Sequence, residues 1–291
     1  MTKRAGYSYK ASLKSERSDE PINTLLVRPA AGVIVWLLYP LPVTPNHVTL
    51  ISIGVGIAAA AFFLGGPGIW AVLAGVLVEL KDVLDSADGQ LARVRRVSSR
   101  AGRFLDSIGD FFVNMVLMAA VAIHLYTSGA SVTVFAAAAA AFLCMTLRVS
   151  FHVFYQVSYL HLAGSYGTNR LTEQITSEDQ ATESRVTILL HKVFLLLYGW
   201  QDTLMAAIDR WMLPDRGLPQ SAALPWYGDG LALRLGGFLG LGTELFVLAL
   251  CAVAGLLPHY FAVSLLGMNG LWVAVILYRK LLLAPRIEAR A

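Results

Sequence analysis

The chain has 291 residues, of which 56% are hydrophobic and 14% are charged, and its mean hydropathy is +0.61. Soluble domains carry about 25% charged residues, so this composition excludes an ordinary soluble fold and indicates an integral membrane protein. The net charge of +4 would suit nucleic acid if the basic residues formed one patch, but they are dispersed between apolar segments. We therefore expect no nucleic-acid partner.

The N-terminal region is predicted to lie on the membrane surface. Residues 1–24 are polar and basic, without the apolar core that a cleaved signal peptide requires. Residues 25–39 are apolar but shorter than the roughly 20 residues of a spanning helix. We predict a cytoplasmic polar N-terminus at 1–24, then an interfacial helix and linker at 25–45, with Arg28 and Trp36 as interface anchors.

Further segments reach spanning length and predict an all-α, polytopic membrane domain over residues 46–283. The six predicted transmembrane helices are at about 46–65, 68–92, 102–128, 131–159, 236–256 and 258–283. The short connections on one side contain no Lys or Arg, whereas those on the other side are basic. By the positive-inside rule both termini, including a tail at 284–291, and the aspartate-rich segment at 82–110 face the cytoplasm.

A cytoplasmic insertion is predicted at about 160–235. Within it, residues 186–212 are apolar enough to be considered as a span, but His191 and Lys192 lie in the middle. A seventh crossing would also move the C-terminal arginines to the opposite side of the membrane. We predict a second interfacial or amphipathic helix at 186–212, with loops at 162–185 and 213–235.

The most informative pattern is a set of four aspartates at the ends of two neighbouring helices. Asp85 and Asp88 are three positions apart, and Asp106 and Asp110 are four apart, so each pair lies on one helix face. Carboxylates facing one another repel strongly unless cations lie between them. Hard divalent ions, Mg²⁺ or Mn²⁺, are the cations that such oxygen ligands prefer.

Three residues beside the aspartates extend this prediction towards phosphate chemistry. Gly89 and Gly102 have no side chain, so another group can approach the backbone closely. Arg93 is a permanent planar cation suited to phosphate. Together with divalent metals, these residues favour a phosphoryl-transfer site.

The pattern D-x-x-D-G-x-x-A-R-x8-G-x3-D-x3-D, which runs here from Asp85 to Asp110, resembles the signature of the CDP-alcohol phosphotransferase family at every specified position. The run from Pro45 to Thr49 also resembles the segment that precedes the first membrane helix in that family. The resemblance implies metal-dependent transfer of a substituted phosphate group from a CDP-linked donor to an alcohol or lipid acceptor, with release of CMP. It also implies a homodimer.

The resemblance assigns roles to individual residues. Two ions, Mg²⁺ or Mn²⁺, are expected on the four aspartates, with Asp110 also acting as the base towards the acceptor hydroxyl. The cytidine end of the donor is expected at the small and basic residues of the motif, which are Gly89, Ala92, Arg93 and Gly102.

The acceptor site and the role of several charges stay open at this stage. Arg148, His152 and Arg170 are candidates for acceptor binding, although Arg148 could equally be an interface cation. Lys81 and Asp82 lie outside the family pattern and could pair with neighbouring charges or line the substrate entrance, of which we favour the structural role. The alternative function is an intramembrane divalent-cation transporter or channel. The guanidinium of Arg93 disfavours that alternative, because a cation pathway has no use for a fixed positive charge.

Overall fold

The computed structural model of the protein describes residues 8–13, 19–97, 99–164, 174–177, 182–213 and 218–289. Every regular element in these residues is helical, which confirms the predicted all-α class. The helices are α1 (Tyr9–Ser12), α2 (Asn23–Leu38), α3 (Pro45–Leu64), α4 (Ile69–Arg95), α5 (Arg100–Thr127), α6 (Thr133–Leu162), α7 (Arg185–Phe194 with Leu195–Gly199 and Trp200–Met212), α8 (Gln220–Tyr227), α9 (Gly230–Gly237), α10 (Leu241–Val253) and α11 (Leu257–Glu288).

Five helical segments in the described part of the chain are long and apolar enough to cross a membrane. They are Pro45–Leu64, Arg100–Thr127, Thr133–Leu162, Ser221–Val253 and Leu257–Glu288. These segments show an integral membrane protein. Helix α4 is not among them, because its second half is rich in charged residues. The sixth crossing at 68–92 therefore stays a prediction, as does the interfacial position of α2.

Helix α4 is the element around which the N-terminal half packs. It lies against α1, α2, α3 and α10, and its buried small residues allow close contact. At Gly75 a Cβ atom would meet the carbonyl oxygen of Ala249 in α10 at 2.9 Å. The main apolar core is formed by α3, α4, α5, α6, α10 and the start of α11. This packing fixes the position of the aspartates at the far end of α4.

The N-terminal segment forms a layer against the end of α4 that carries the aspartates. Arg28 is buried and forms an ion pair with Asp19 at 2.5 Å, so the prediction of Arg28 as an interface anchor is wrong. Arg95 of α4 donates to the carbonyl oxygens that follow α2, including Leu41 at 2.7 Å. Because these carbonyls have no partner within their own helix, the Arg95 guanidinium satisfies them and holds α2 in place.

The structure corrects the predicted loop at 213–235, which is helical over Gln220–Tyr227 and Gly230–Gly237. Its prolines suggested a loop, but Pro219 precedes α8, where a missing N–H costs nothing. The carboxylate of Asp229 then accepts the backbone N–H of Ala232 at 2.8 Å and begins α9. Burial of Trp226 between neighbouring helices overrides the local tendency of Pro225 to end a helix.

Helix α7 is a continuous helix of the predicted extent, and it packs across α5 and α6. The His191 ring stacks on Phe104 of α5 with a centroid distance of 4.5 Å. Ser150 of α6 donates to the side-chain oxygen of Gln201 at 2.6 Å. The opposite face of α7 exposes large apolar side chains such as Leu196. The helix thus turns polar groups such as Gln201 towards its neighbours and exposes large apolar side chains on the opposite face.

One buried carboxylate attaches the end of α7 to the rest of the protein. Asp209 is 3% exposed and accepts hydrogen bonds from Tyr155 at 2.6 Å, Trp226 at 2.9 Å and Tyr227 at 2.8 Å. Arg279 lies over the Tyr155 ring, 3.5 Å from its centroid. The cluster joins α6, α7, α8 and α11.

We expect Asp209→Ala to lower the free energy of unfolding by about 3 kcal/mol, because three buried donors lose their acceptor. Thermal unfolding of the purified protein in detergent, followed by tryptophan fluorescence, measures the change. Asp202→Ala is the matched control, since Asp202 is a half-buried carboxylate on the same helix. Equal melting temperatures for the two variants would contradict the anchoring role of Asp209.

Candidate active site

The structure brings three of the four motif aspartates together where α4 and α5 meet. Asp85, Asp88 and Asp106 each offer a carboxylate oxygen, and these three oxygens lie within 4.8 Å of one another. Asp88 is buried, and Asp85 and Asp106 are half-buried. Negative charges this close, next to apolar helices, repel one another, so the arrangement favours a bound cation.

The short connection between α4 and α5 sets this geometry. Arg96 ends α4 in the left-handed region at φ 54°, and its N–H donates to the carbonyl of Arg93 at 3.1 Å. The Ser99 hydroxyl then accepts the N–H of Gly102 at 2.9 Å and begins α5. Because the reversal takes so few residues, Asp88 and Asp106 reach the same level of the bundle.

The residues present fit a divalent cation. Oxygen Oδ1 of Asp106 is buried and has no hydrogen-bond partner among the described residues, a state that costs free energy unless a ligand satisfies it. The donor set consists of carboxylate oxygens, which are the ligands of Mg²⁺ and Mn²⁺. The aspartate cluster could therefore hold a metal ion. The number and identity of the ions stay predictions.

Asp110 lies apart from the three clustered oxygens and has a different partner. Its carboxylate forms an ion pair with Lys81, whose side chain is completely buried in α4. Lys81 lies outside the motif and was expected to pair with neighbouring charges, as it does here. The structure thus separates a group of three aspartates from a fourth whose charge is balanced by the protein itself.

The run from Pro45 to Thr49, which forms the start of α3, contributes a hydrogen bond to the cluster that its sequence did not reveal. The Thr49 hydroxyl donates to a carboxylate oxygen of Asp88. At Gly102 a Cβ atom would meet the side-chain oxygen of Asn46 at 2.6 Å. Glycine at 102 therefore lets α3 and α5 approach each other, in addition to any substrate contact.

The other predicted donor-site residues lie on the same stretch of α4. A Cβ atom at Gly89 would lie 3.3 Å from Nη1 of Arg93, so the guanidinium extends along the glycine. Ala92 is half-buried one position before it. The Arg93 Nε atom donates to the carbonyl of Ser12 at 2.5 Å. Gly89, Ala92, Arg93 and Gly102 remain predicted contacts of the CDP moiety.

Two of the three candidate acceptor residues, Arg148 and His152, lie on α6 among the described residues. Arg148 is 1% exposed and forms an ion pair with Glu244 of α10 at 2.6 Å. The hydroxyl of Ser264 accepts from Arg148 at 3.0 Å and donates to Glu244 at 2.6 Å. His152 is buried one turn further along α6, and Arg170 lies outside the described residues. Their role in acceptor binding stays a prediction, and the visible partners of Arg148 are all protein groups.

Tyr198 is a residue near the site that the sequence did not single out. Its hydroxyl donates to the carbonyl of Ser107 at 2.8 Å. Burial raises the pKa of Tyr198, and the negative charges of Asp110 and Asp106 raise it further. The only sequence signal was the amphipathic pattern of α7, which does not reveal which residue of the helix meets α5.

Comparison with known proteins identifies the family. The family model for CDP-alcohol phosphatidyltransferases matches residues 42–213, more than half of the chain. A protein of Archaeoglobus fulgidus named bifunctional IPC transferase and DIPP synthase is 41% identical over 95 residues, which cover 32% of this chain and 18% of that protein. A protein of the same name from Rubrobacter xylanophilus is 25% identical over 172 residues, covering 59% of this chain and 36% of that protein.

A third relative is the inner membrane protein YnjF of Escherichia coli, which is 36% identical over 85 residues, or 29% of this chain and 39% of that protein. The chain thus spans well under half of the length of these relatives. The chain belongs to the CDP-alcohol phosphatidyltransferase family. This membership favours the predicted transferase over the alternative of a transporter or channel.

We expect Thr49→Val to weaken divalent-metal binding about tenfold or more, because Asp88 loses the hydrogen bond that orients it. Binding of Mn²⁺ to the purified protein, followed by electron paramagnetic resonance, measures the affinity. The matched control is Ser52→Ala. Ser52 lies about one turn further along α3, and its hydroxyl donates to the carbonyl of Lys81 at 2.9 Å. An unchanged Mn²⁺ affinity in Thr49→Val would show that Asp88 needs no support from α3.

We expect Arg148→Met and Glu244→Gln each to destabilise the protein by about 3–5 kcal/mol, because each leaves a buried polar partner uncompensated. The double variant should recover much of this loss. Thermal unfolding of the four proteins gives the coupling between the two sites. A stable Arg148→Met protein that has lost only affinity for the acceptor would instead support the predicted acceptor role.

Proposed function

We propose that the protein transfers a substituted phosphate group from a CDP-linked donor to the hydroxyl of an alcohol, releases CMP and leaves a phosphodiester, as a step of phospholipid biosynthesis. The observation that carries the proposal is the cluster of Asp85, Asp88 and Asp106 with Asp110 on the next turn of α5. Family membership supports the reaction class.

The three clustered aspartates would hold Mg²⁺ or Mn²⁺, and Asp110 would complete the ligands of a second ion. The metal would supply charge neutralisation on the donor pyrophosphate and on the departing CMP. Asp88 is kept in its orientation by Thr49 and is shielded from water by the surrounding helices. The half-buried position of Asp85 and Asp106 leaves one side of the cluster open to the donor.

Asp110 would receive the proton of the acceptor hydroxyl. The acceptor oxygen then forms a bond to the β-phosphorus, the bond from that phosphorus to the CMP oxygen breaks, and CMP leaves with the electron pair. Lys81 balances the charge of Asp110 at one oxygen. The carboxylate can therefore remain ionised in an apolar setting, as a base requires.

The motif residues on α4 would bind the donor. The guanidinium of Arg93 offers paired N–H donors to a phosphate, and Gly89 leaves room beside it. Tyr198 of α7 lies near Asp106 and Asp110, so the acceptor would approach between α5 and α7. We further propose a homodimer whose active sites and termini face the cytoplasm, in line with the basic connections on that side.

The lipid could enter on the donor, as CDP-diacylglycerol, or on the acceptor. The names of the relatives make IPC transfer and DIPP synthesis the first reactions to assay. A panel of CDP-linked donors and alcohols, with release of CMP by the purified protein as the readout, identifies the pair.

We expect Asp110→Asn to lower kcat for CMP release by about a hundredfold or more, because the acceptor proton loses its base. Excess EDTA should abolish release in the unaltered protein, and added Mg²⁺ should restore it. Asp202→Asn is the control with a carboxylate removed elsewhere in the membrane domain. Undiminished CMP release by Asp110→Asn, or release that persists in EDTA, would overturn the proposed mechanism.

A further inference from the structure

The short helix α1 is bound to the same stretch of α4 that carries the motif. Ser12, at the end of α1, is completely buried. Its backbone carbonyl accepts the Nε hydrogen of Arg93 at 2.5 Å, and its hydroxyl donates to the side-chain oxygen of Gln90 at 3.2 Å. Residues that are 81 and 78 positions apart in sequence are thus joined beside the aspartate cluster.

Gln90 also connects α4 to α2. Its side-chain amide is completely buried and donates to the carbonyl of Arg28 at 3.1 Å. On the other side of α1, the Tyr9 ring lies on α2, where a Cβ atom at Gly32 would meet its Cε2 atom at 2.5 Å. Helix α1 is therefore held between α2 and α4, with Gln90 as the shared hydrogen-bonding group.

The contact with Ser12 restricts the most flexible part of the Arg93 side chain. An arginine on a helix surface has about 2 kcal/mol of rotamer entropy, which binding of a phosphate would otherwise remove. With Nε fixed to a carbonyl, the plane of the guanidinium is set, and its Nη1 atom extends along Gly89. Asp88 is the residue before Gly89, so this end of the guanidinium lies along the part of α4 that carries the motif.

We propose that α1 is a positioning element of the donor site, which holds Arg93 ready to bind the phosphates of a CDP-linked donor. Ser12 and Gln90 act through Arg93 and are positioning residues. This inference rests on the proposed function, because it takes Arg93 as a donor contact. It adds a segment outside the residues matched by the family model, which begins at residue 42.

A reciprocal effect follows from thermodynamic linkage. If docking of α1 increases the affinity for CDP, then bound CDP must stabilise the docking of α1 by the same factor. Helix α1 has only four residues and depends on these contacts for its order. Its backbone amides should therefore exchange with solvent more slowly when CDP and Mg²⁺ are present.

The test uses CDP itself as the probe. Isothermal titration of the full-length protein in detergent with CDP, in the presence of Mg²⁺, gives the dissociation constant. We expect deletion of residues 1–13 and the substitution Gln90→Leu each to raise it about tenfold, the effect of losing one hydrogen bond to a charged group. Deletion of residues 1–7, which retains α1, is the matched control and should leave the constant unchanged.

An Arg93→Ala background separates positioning from general damage to the fold. The deletion of residues 1–13 should add nothing to the loss of CDP affinity in Arg93→Ala, because both changes remove the same interaction. Hydrogen exchange of the segment 9–13, measured by mass spectrometry, should slow when CDP and Mg²⁺ are added to the unaltered protein. Thermal unfolding verifies that every variant is folded under the conditions of the titration.

Four outcomes would overturn the inference. The first two are a dissociation constant that stays within twofold of the unaltered protein after the deletion, and an equally large effect of the deletion in Arg93→Ala. The other two are tighter CDP binding without α1, and hydrogen exchange at 9–13 that is unchanged by CDP. The third outcome would make α1 an obstruction of the site. Failure of the unaltered protein to bind CDP would overturn the proposed function as well, whereas normal CDP binding in the variants overturns only the role of α1.

Discussion

The placement of carboxylates where two apolar helices meet is the constraint on which the structure depends. Asp85, Asp88 and Asp106 lie within 4.8 Å of one another beside membrane helices, and such a cluster is stable only if its charge is compensated. The protein provides part of this compensation itself. Thr49 donates to Asp88, and the buried Lys81 pairs with Asp110. A divalent cation at the cluster would supply the rest, so the same charges that make the site costly to fold would also let it bind the proposed pyrophosphate.

Helix α4 connects this site to most of the protein. Its first half is apolar and packs closely on α10 at Gly75, whereas its second half carries the charged residues. Beyond the aspartates, Arg95 satisfies the carbonyl groups at the end of α2, and Gln90 and Arg93 hold α1. One helix therefore carries predicted metal ligands, a predicted donor contact and the attachment of the N-terminal layer. A displacement of that layer would reach the donor site through Arg93.

In the C-terminal half, two buried carboxylates each accept several hydrogen bonds. Glu244 accepts from Arg148, Tyr260 and Ser264, and Asp209 accepts from three aromatic donors. In an apolar environment such sets fix the relative position of helices, because any other arrangement leaves donors or acceptors without partners. They explain how α7, which is too polar to be counted among the five apolar spans, is nevertheless firmly packed against α5 and α6. That packing brings the Tyr198 hydroxyl to the carbonyl of Ser107, the residue after Asp106.

The sequence alone determined the helical class and the bounds of most membrane helices to within a few residues. It also determined the identity of the aspartate motif. These features could be predicted because apolar length and i, i+3 or i, i+4 spacing are local properties of the chain. It could not determine the partners of Arg28, Arg148 and Tyr198, nor the helices α8 and α9, where burial of Trp226 outweighs the prolines. Those outcomes depend on groups that are distant in sequence. Only the tertiary structure decided that Asp110 is paired with Lys81, that Thr49 supports Asp88 and that Ser12 reaches Arg93, since each contact forms only after separate helices have packed together.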